Sequence, residues 1–554
     1  MNIVEYLIGK FFQEEKMNII ILFVLSLAIT LVQTNAISYI TANIILSIES
    51  NKPAVSIQFF TYFMAISALF LIIYYGYKYL QNTIVTKLTQ WLKHELLKVI
   101  LLANNENMRS VNFVEFLRPI TRIATSVYAL FFDVGAVIVP MFAFLCMISC
   151  FFLYQNTLLG LGFIFGNLCV FSYIFLFWKK MKEKKRTHEN QVNQNEKIII
   201  DILNNIDKVI YRGQTSVEIN QFSTLTDKCI EYGLSFLSNT TNHVMVMIII
   251  VYITLFGCMY YLIKLQHSKK ITPTIFITFF TILLLYRDKI LNTLQNIPDY
   301  LEFLGRLEYI VDEFNRMLGE NHDVQKIFDK SYETALLDFT HIRFRNVSFN
   351  YQNKESTPIF ENKSMDVYTT NKIIGIVGLS GKGKSTFAKL LLRLYDPTEG
   401  TITIDGKDVS TIDPNYIRIN ITYVNQNSKL FDKKIIDNLV YGCNNPDACE
   451  SYLKEIMQYA TIRELYKNVD IINGPAGSLG ENLSGGQRQV VNIISGLINP
   501  SKILILDEPT NALDAALKAE VIALIHHFRQ YKQCIIIITH DKDVYSLFDE
   551  VITL

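Results

Sequence analysis

The run GLSGKGKS, from Gly378 to Ser385, sets glycines at 378, 381 and 383 beside a lysine and a hydroxyl, matching the pattern G-x-x-x-x-G-K-[ST]. Glycines let successive backbone N–H groups converge on phosphate oxygens, Lys384 reaches the outer phosphates, and the Ser385 hydroxyl ligates Mg²⁺. Ser380, Lys382 and Thr386 complete the stretch expected to hold ATP; the extra charge of Lys382 either tightens the nucleotide or is simply solvated. An apolar strand pattern, KIIGIV, precedes the loop and a helical pattern, FAKLLLRLY, follows it, which is the setting such a loop requires. A second buried strand, KILILDEP, ends in Asp507 and Glu508. Asp507 is placed to hold Mg²⁺ with Ser385, and Glu508 is free to polarise a water. A third, QCIIIITH, brings His540 to the same strand-end edge, where ligands collect in parallel α/β sheets. A lone histidine is usually structural, so His540 counts because of its company.

The run ENLSGGQRQ, Glu481 to Gln489, offers another anion site: Ser484, Gly485 and Gly486 form a donor-rich bend ahead of a helical pattern. The phosphate loop already lies about a hundred residues earlier, so the second site needs another ligand. NLSGGQRQ resembles the signature motif of ABC-transporter ATPases, and the order of phosphate loop, Gln426 in YVNQNSKLF, signature, LILDEPTNALD and His540 matches that family. Six spans ahead of one such domain resemble the exporter class of half-transporters. The likeness covers nearly the whole chain, specifically in the ATPase motifs and by layout in the membrane half.

The resemblance implies that Tyr351 in VSFNY stacks on adenine. It implies that Gln426 touches Mg²⁺ and the attacking water, that Asp514 in NALD lies across a dimer seam, and that His540 contacts the γ-phosphate. Ser484, Gly485, Gly486 and Gln487 are then expected to close over ATP held by a partner subunit, so that nucleotide joins two chains, identical or different. Residues 431 to 500 read as a helical insert carrying the signature away from its own phosphate loop. Loops near Asn104 to Asn112 and Asn204 to Arg212 are expected to form short helices that press on the ATPase. Ser478 stands where exporters commonly have a glutamate, a departure that weakens one expected contact with the partner's membrane helices.

These motifs need a sheet to position them and a membrane half to act on. Half of the 554 residues are hydrophobic, and the excess lies before residue 290, in the charge-free stretches Met17 to Ile48, Pro53 to Tyr77, Val134 to Trp178 and Ile271 to Tyr286. A span takes roughly 20 apolar residues. The Val134 run therefore reads as two helices turning at YQNT, a further span covers His243 to Ile263, and the Ile271 run must borrow residues from Arg287 onward, giving six. Lys78, Lys87, Lys93, Lys98, Arg109, Arg118, Arg122 and KKMKEKKR (Lys179 to Arg186) fall on one side, against Lys52, Lys264, Lys269 and Lys270 on the other. The positive-inside rule makes the first side, and the ATPase, cytoplasmic.

The N-terminal stretch MNIVEYLIGKFFQEEK reads as an amphipathic helix on the inner leaflet rather than a cleaved signal, and no peptidase domain for leader-peptide export is expected ahead of the spans. Eight scattered cysteines without a C-x-x-C pair read as small buried hydrophobes, not disulfides or metal ligands. A net charge of +1 gives no reason to expect nucleic-acid binding. Asp133 reads as a carboxylate near the inner boundary. Gln33, Asn35 and Asn43 either line a pathway or bond neighbouring helices.

The expected fold is an α-helical membrane domain of six transmembrane helices, residues 1–334, plus an α/β P-loop NTPase domain with a helical insert, residues 335–554. The boundary falls where a mixed-charge helical pattern, with a kink at Pro298, gives way to the strand alternation of HIRFRNVSFNY. The function expected is ATP- and Mg²⁺-dependent transport by alternating access in a dimer embedded in a bilayer. An apolar or amphipathic cargo is expected, whether small molecule, lipid or peptide, because the spans carry few fixed charges. An ATP-gated channel or regulator, and an importer on the same scaffold, are the alternatives.

Overall fold

The computed structural model describes residues 3–106, 122, 125–127, 129, 138–318, 332, 336–351, 358–379, 381–426, 429–443, 445–467, 469–511 and 513–554. Asp133, Ser380, Arg109, Arg118, the boundary expected near residue 335 and most of the loop from Asn104 to Asn112 lie outside them. The chain divides into two units, Met1–Ile100 with Val111–Gln325, and Leu101–Ser110 with Lys326–Leu554.

The first unit is helical. Helix α1 (Ile3–Glu14) precedes α2 (Lys16–Leu31), which passes through a π-helical turn (Val32–Ala36) into α3 (Ile37–Glu49). Then come α4 (Pro53–Ala103), α5 (Val139–Gln155), α6 (Thr157–Asn204), α7 (Ile206–Tyr211), α8 (Thr215–His267), α9 (Pro273–Gln295) and α10 (Ile297–Leu318). Helices α4, α6 and α8 are long and apolar enough to cross a membrane. They run 51, 48 and 53 residues because no glycine or proline cluster interrupts the passage from apolar run to charged continuation. Each of the six expected spans falls on a helix or, for the first, on the α2–α3 run.

The turn expected at YQNT occurs at Asn156, whose extended backbone (φ −156°, ψ 113°) breaks the helix while its side chain accepts from Leu159 N to cap the next. Thr272 and Pro273 start α9 as cap and first-turn proline, and α9 runs on past Arg287 as the short apolar run requires. Pro298 sits in the first turn of α10, just after the chain breaks at Asn296.

Buried aromatic rings fill the core of this unit: Phe152 and Phe279 pack at a tilt with ring centres 4.7 Å apart, and Phe163 meets Tyr286 edge-on at 4.8 Å. The buried Tyr286 hydroxyl donates to Asn167 Oδ1 at 3.0 Å, so the one polar end of that ring is satisfied. Gly166 lets α6 close on α8, since a Cβ there would fall 2.1 Å from Thr254 Oγ1.

Helix α1 forms where the amphipathic pattern places it, and Leu7 and Phe11 on it are buried by protein: Phe11 lies edge-on to Trp91 of α4 at 5.4 Å, and ion pairs Lys10–Glu95 (2.9 Å) and Lys87–Glu15 (2.8 Å) flank it. The expectation that no cysteines pair is corrected. In the second unit, Cys443 and Cys449 form a disulfide, with Cα atoms 6.6 Å apart; their spacing of six matches no short cysteine motif, which is why the sequence hid it. Asn43, for its part, donates to Tyr39 O of its own helix, not to a neighbour.

The second unit carries two sheets. One is antiparallel in the order β2-β1-β4-β5, from β1 (His341–Phe349), β2 (Phe360–Tyr368), β4 (Glu399–Ile404) and β5 (Lys407–Asp408). The other is parallel in the order β6-β7-β8-β3-β9, from β3 (Lys372–Val377), β6 (Ile421–Val424), β7 (Ile503–Asp507), β8 (Cys534–Ile538) and β9 (Glu550–Thr553). Strands β7 and β8 are near-unbroken Ile/Leu runs and are buried throughout, as a parallel strand covered on both faces must be. Helix α11 (Lys384–Leu391) follows β3, and α12 (Pro414–Asn420) precedes β6. The helical insert comprises α13 (Ile435–Leu439), α14 (Pro446–Ile456), α15 (Ala460–Leu465) and α16 (Gly485–Ile498), and α17 (Ala515–Phe528) precedes β8.

Candidate nucleotide site

Because β3, β6, β7 and β8 are parallel, their C-terminal ends share one edge, and the phosphate loop, Gln426, Asp507 and His540 all leave the sheet there. Two glycines of the loop are fixed by geometry. Gly383 (φ +93°) caps α11, and a Cβ would sit 2.4 Å from the Phe360 ring; at Gly378 (φ +152°) it would meet Leu554 O at 2.5 Å. Gly381 has a positive φ with nothing within 4 Å, so its open side is available to a ligand. Lys384 Nζ donates to Gly378 O (2.9 Å) and Leu379 O (3.1 Å), tying the loop into a ring around its own ammonium. Ser385 is half-buried and Thr386 buried, whereas Lys382 is exposed.

Asp507 and Glu508 are 4% and 7% exposed. Asp507 Oδ2 accepts from the Tyr423 hydroxyl at 2.8 Å, and burial with the adjacent carboxylate pushes that phenol well above its usual range. Glu508 adopts φ +50°, its N–H donating to Ile538 O; a non-glycine there stores on the order of 1–3 kcal/mol. Its carboxylate meets His540 Nδ1 at 2.7 Å and Thr539 Oγ1 at 3.3 Å. Ser385 and Asp507 supply the hard oxygen donors that Mg²⁺ takes, so the residues present fit the ion.

Tyr351 is half-buried. Its hydroxyl lies 3.2 Å from Thr386 Oγ1, its ring stands edge-on to Tyr395 at 5.1 Å, and Lys389 Nζ is 5.7 Å from the ring centre. An aromatic residue therefore stands beside the first turn of α11. Gln426, two residues beyond β6, is exposed.

The signature occupies the start of α16. Ser484 is its N-cap, with Oγ accepting from Gln487 N (3.2 Å) and Gln487 Oε1 accepting from Ser484 N (2.8 Å), a reciprocal capping box. Gln487 also donates to Leu465 O, so its side chain is engaged in building the bend. Gly485 is exposed with nothing within 4 Å of a Cβ, and Gly486 is half-buried. Asp514 caps α17 by accepting from Leu517 N at 2.9 Å.

The structure brings Tyr351 to Thr386 and Glu508 to His540. It also adds three residues that sequence reasoning missed, Tyr423, Thr539 and Gln489, the last reaching Pro509 O from α16. The signal for Tyr423 is its place in register, two positions short of Asp507 on the adjacent strand, which becomes visible only once β6 and β7 are paired.

The ABC transporter transmembrane region family matches residues 17–288, and the ABC transporter family matches residues 360–511. The lactococcin-G-processing and transport ATP-binding protein of Lactococcus lactis is 28% identical over 452 residues, 80% of this chain and 60% of that protein. The ABC multidrug transporter mdr2 of Aspergillus fumigatus is 36% identical over 214 residues, 38% of this chain and 26% of that protein. The alignments thus span less than two thirds of these relatives' lengths. A solved structure of a bacterial Atm1-family ABC exporter with ATP bound superposes with a TM-score of 0.81 at 21% identity, covering 98% of this chain and 93% of that one, which shows a common fold. With a transmembrane region and an ATP-binding domain in succession on one polypeptide, and the fold of an ABC exporter throughout, the chain belongs to the ABC transporters.

Proposed function

We propose that two copies of this chain form an ATP-driven exporter that moves an apolar or amphipathic cargo by alternating access. The observation that carries the reading is Glu508, a buried carboxylate gripped by His540 at the strand-end edge that also holds Lys384, Ser385 and Asp507. Lys384 and the loop N–H groups bind the phosphates, and Tyr351 stands where adenine is expected to stack. Ser385 and Asp507 would hold Mg²⁺, with Gln426 as a further candidate ligand; the ion would neutralise charge on the phosphate oxygens. Glu508 polarises the attacking water, and His540 turns to the γ-phosphate while keeping Glu508 oriented.

The other half of each nucleotide site comes from the second chain. Ser484, Gly485, Gly486 and Gln487 present a helix start to a phosphate, and Asp514 lies near the seam. The stretch Leu101–Ser110 belongs to the same unit as the ATPase fold, and there Asn105 accepts from Arg418 (2.7 Å to Oδ1) while Glu106 pairs with Arg393 (3.3 Å). Those bonds support a role for this loop in passing nucleotide state to the membrane helices.

The cargo class follows from the aromatic and aliphatic lining of the spans, since an unpaired charge buried there is costly. A hydrophobic peptide falls within the class. Reconstitution in vesicles with lipids, hydrophobic peptides, amphiphilic drugs and small ions tests the reading. Saturable ATPase stimulation with vectorial movement is expected for the amphiphilic classes. Stimulation confined to a small charged solute would sink the cargo assignment, and ATP binding with no vectorial movement of any class would favour a gated channel.

A further inference from the structure

Asp507 is an almost fully buried carboxylate, and a buried charge needs donors or a counter-ion. Among the described residues, one side chain hydrogen-bonds it, Tyr423, whose hydroxyl donates to Oδ2 at 2.8 Å. The pairing Tyr423↔Ile505 and Val424↔Leu506 sets Tyr423 and Asp507 two residues apart along neighbouring parallel strands, so both project from the same face of the sheet. The Tyr423 ring packs against the hydrophobic core beside that face, which fixes where the hydroxyl points.

We infer that Tyr423 is a positioning residue for metal–nucleotide binding: by occupying Oδ2 of Asp507 it fixes the plane of the carboxylate and leaves Oδ1 for Mg²⁺. This rests on the proposed reading of the site as one that binds Mg²⁺ with ATP. The phenol is neutral, so it orients the ligand without cancelling the negative charge that attracts the ion. A lysine or arginine in its place would do both. Partners that hold a metal ligand from behind typically contribute 10- to 100-fold to metal affinity. Tyr423 also lies on the strand that continues to Gln426, so the residue that sets the metal ligand and the one expected beside the attacking water share one short segment of backbone.

The test uses the full chain in nanodiscs with Glu508→Gln, which keeps nucleotide unhydrolysed, and Mn²⁺ as the probe, its binding in the presence of ATP read by electron paramagnetic resonance. Adding Tyr423→Phe retains the ring and removes the hydroxyl. The expected result is a loss of Mn²⁺ affinity of about 10-fold, with metal-free binding of a fluorescent ATP analogue and the thermal transition unchanged. Val424→Ala, which loosens the same strand without touching the hydroxyl, should leave Mn²⁺ affinity in place. Equal Mn²⁺ affinity in Tyr423→Phe and its parent overturns the inference and leaves the nucleotide reading intact. A loss in Val424→Ala as large as that in Tyr423→Phe also overturns it, by assigning the effect to packing. If the parent itself binds no Mn²⁺ with ATP, the reading of the site falls instead.

Discussion

Glu508 combines three features that seldom coincide without a reason: deep burial, a positive φ and two side-chain partners, His540 and Thr539. Replacing it with glutamine keeps the shape and both neighbours but removes the basic oxygen. Glu508→Gln should therefore bind ATP normally and turn it over 10² to 10⁴ times more slowly, the range typical for loss of a general base. Near-normal hydrolysis by the purified variant would assign the base elsewhere.

Lys532 illustrates a different use of burial. It is 6% exposed and donates to Asn499 O, and desolvation pushes its ammonium down to about 8. A lysine with a depressed folded-state pKa penalises the fold while charged in both states, below pH 8, and the penalty fades as pH rises from there towards the ordinary value of about 10.5. The stability of the ATPase unit relative to Lys532→Met should thus increase across that window, by on the order of 3 kcal/mol at most. Thermal unfolding of both proteins at several pH values measures it; a constant difference would show that Lys532 does not titrate.

At the scale of elements, much was legible because the physics is local. Charge-free runs fell on helices, among them the long apolar α4 and α6, the Asn156 turn followed from run length and a polar break, and buried Ile/Leu runs marked β7 and β8. What stayed hidden depended on neighbours distant in sequence. Leu7 and Phe11 give the same amphipathic pattern whether they meet lipid or Trp91, and only the ion pairs to Glu95 and Lys87 decide it. Cys443 and Cys449 pair only in the folded chain, and Gln487 proved to be a capping residue through its bond with Ser484.

The short helix expected between Asn204 and Arg212 is α7, and it leaves Ile206, Ile210 and Tyr211 exposed. In the other loop the Arg418 guanidinium reaches Asn105 O (2.5 Å), Asn105 Oδ1 and Leu392 O (3.0 Å) together. Arg418→Ala would leave those acceptors without their charged donor, at about 1–3 kcal/mol for each that stays buried. The expected outcome is preserved ATP binding with cargo-stimulated ATPase activity reduced several-fold, because the loop loses its anchor. Full stimulation in the variant would show that this contact transmits nothing.

At the scale of the whole molecule, the proposed reading gives one chain two helix starts suited to a phosphate. The first, at α11, has its own lysine and hydroxyl, with Lys384 tied to the loop carbonyls, and the carboxylates of Asp507 and Glu508 leave the sheet at the same strand-end edge. The second, at α16, has a completed capping box and an exposed glycine but no lysine of its own in the motif. In the proposed dimer a site half built on one chain would be completed by another copy, each signature serving the partner's phosphate loop. Mixing a Lys384→Ala chain with a Ser484→Arg chain tests this directly. In either mutant homodimer both nucleotide sites carry a lesion. In the mixed dimer one site collects both lesions and the other has none, so about half of the tight ATP binding should return. Ser484→Arg also removes an N-cap, at a cost of about 1 kcal/mol. Its thermal transition therefore has to be compared with that of Ser484→Ala, which loses the same cap without adding bulk or charge. With folding so controlled, a mixed dimer that binds no more ATP than either mutant homodimer would mean that the signature acts on its own chain, and the second phosphate site would need a different ligand.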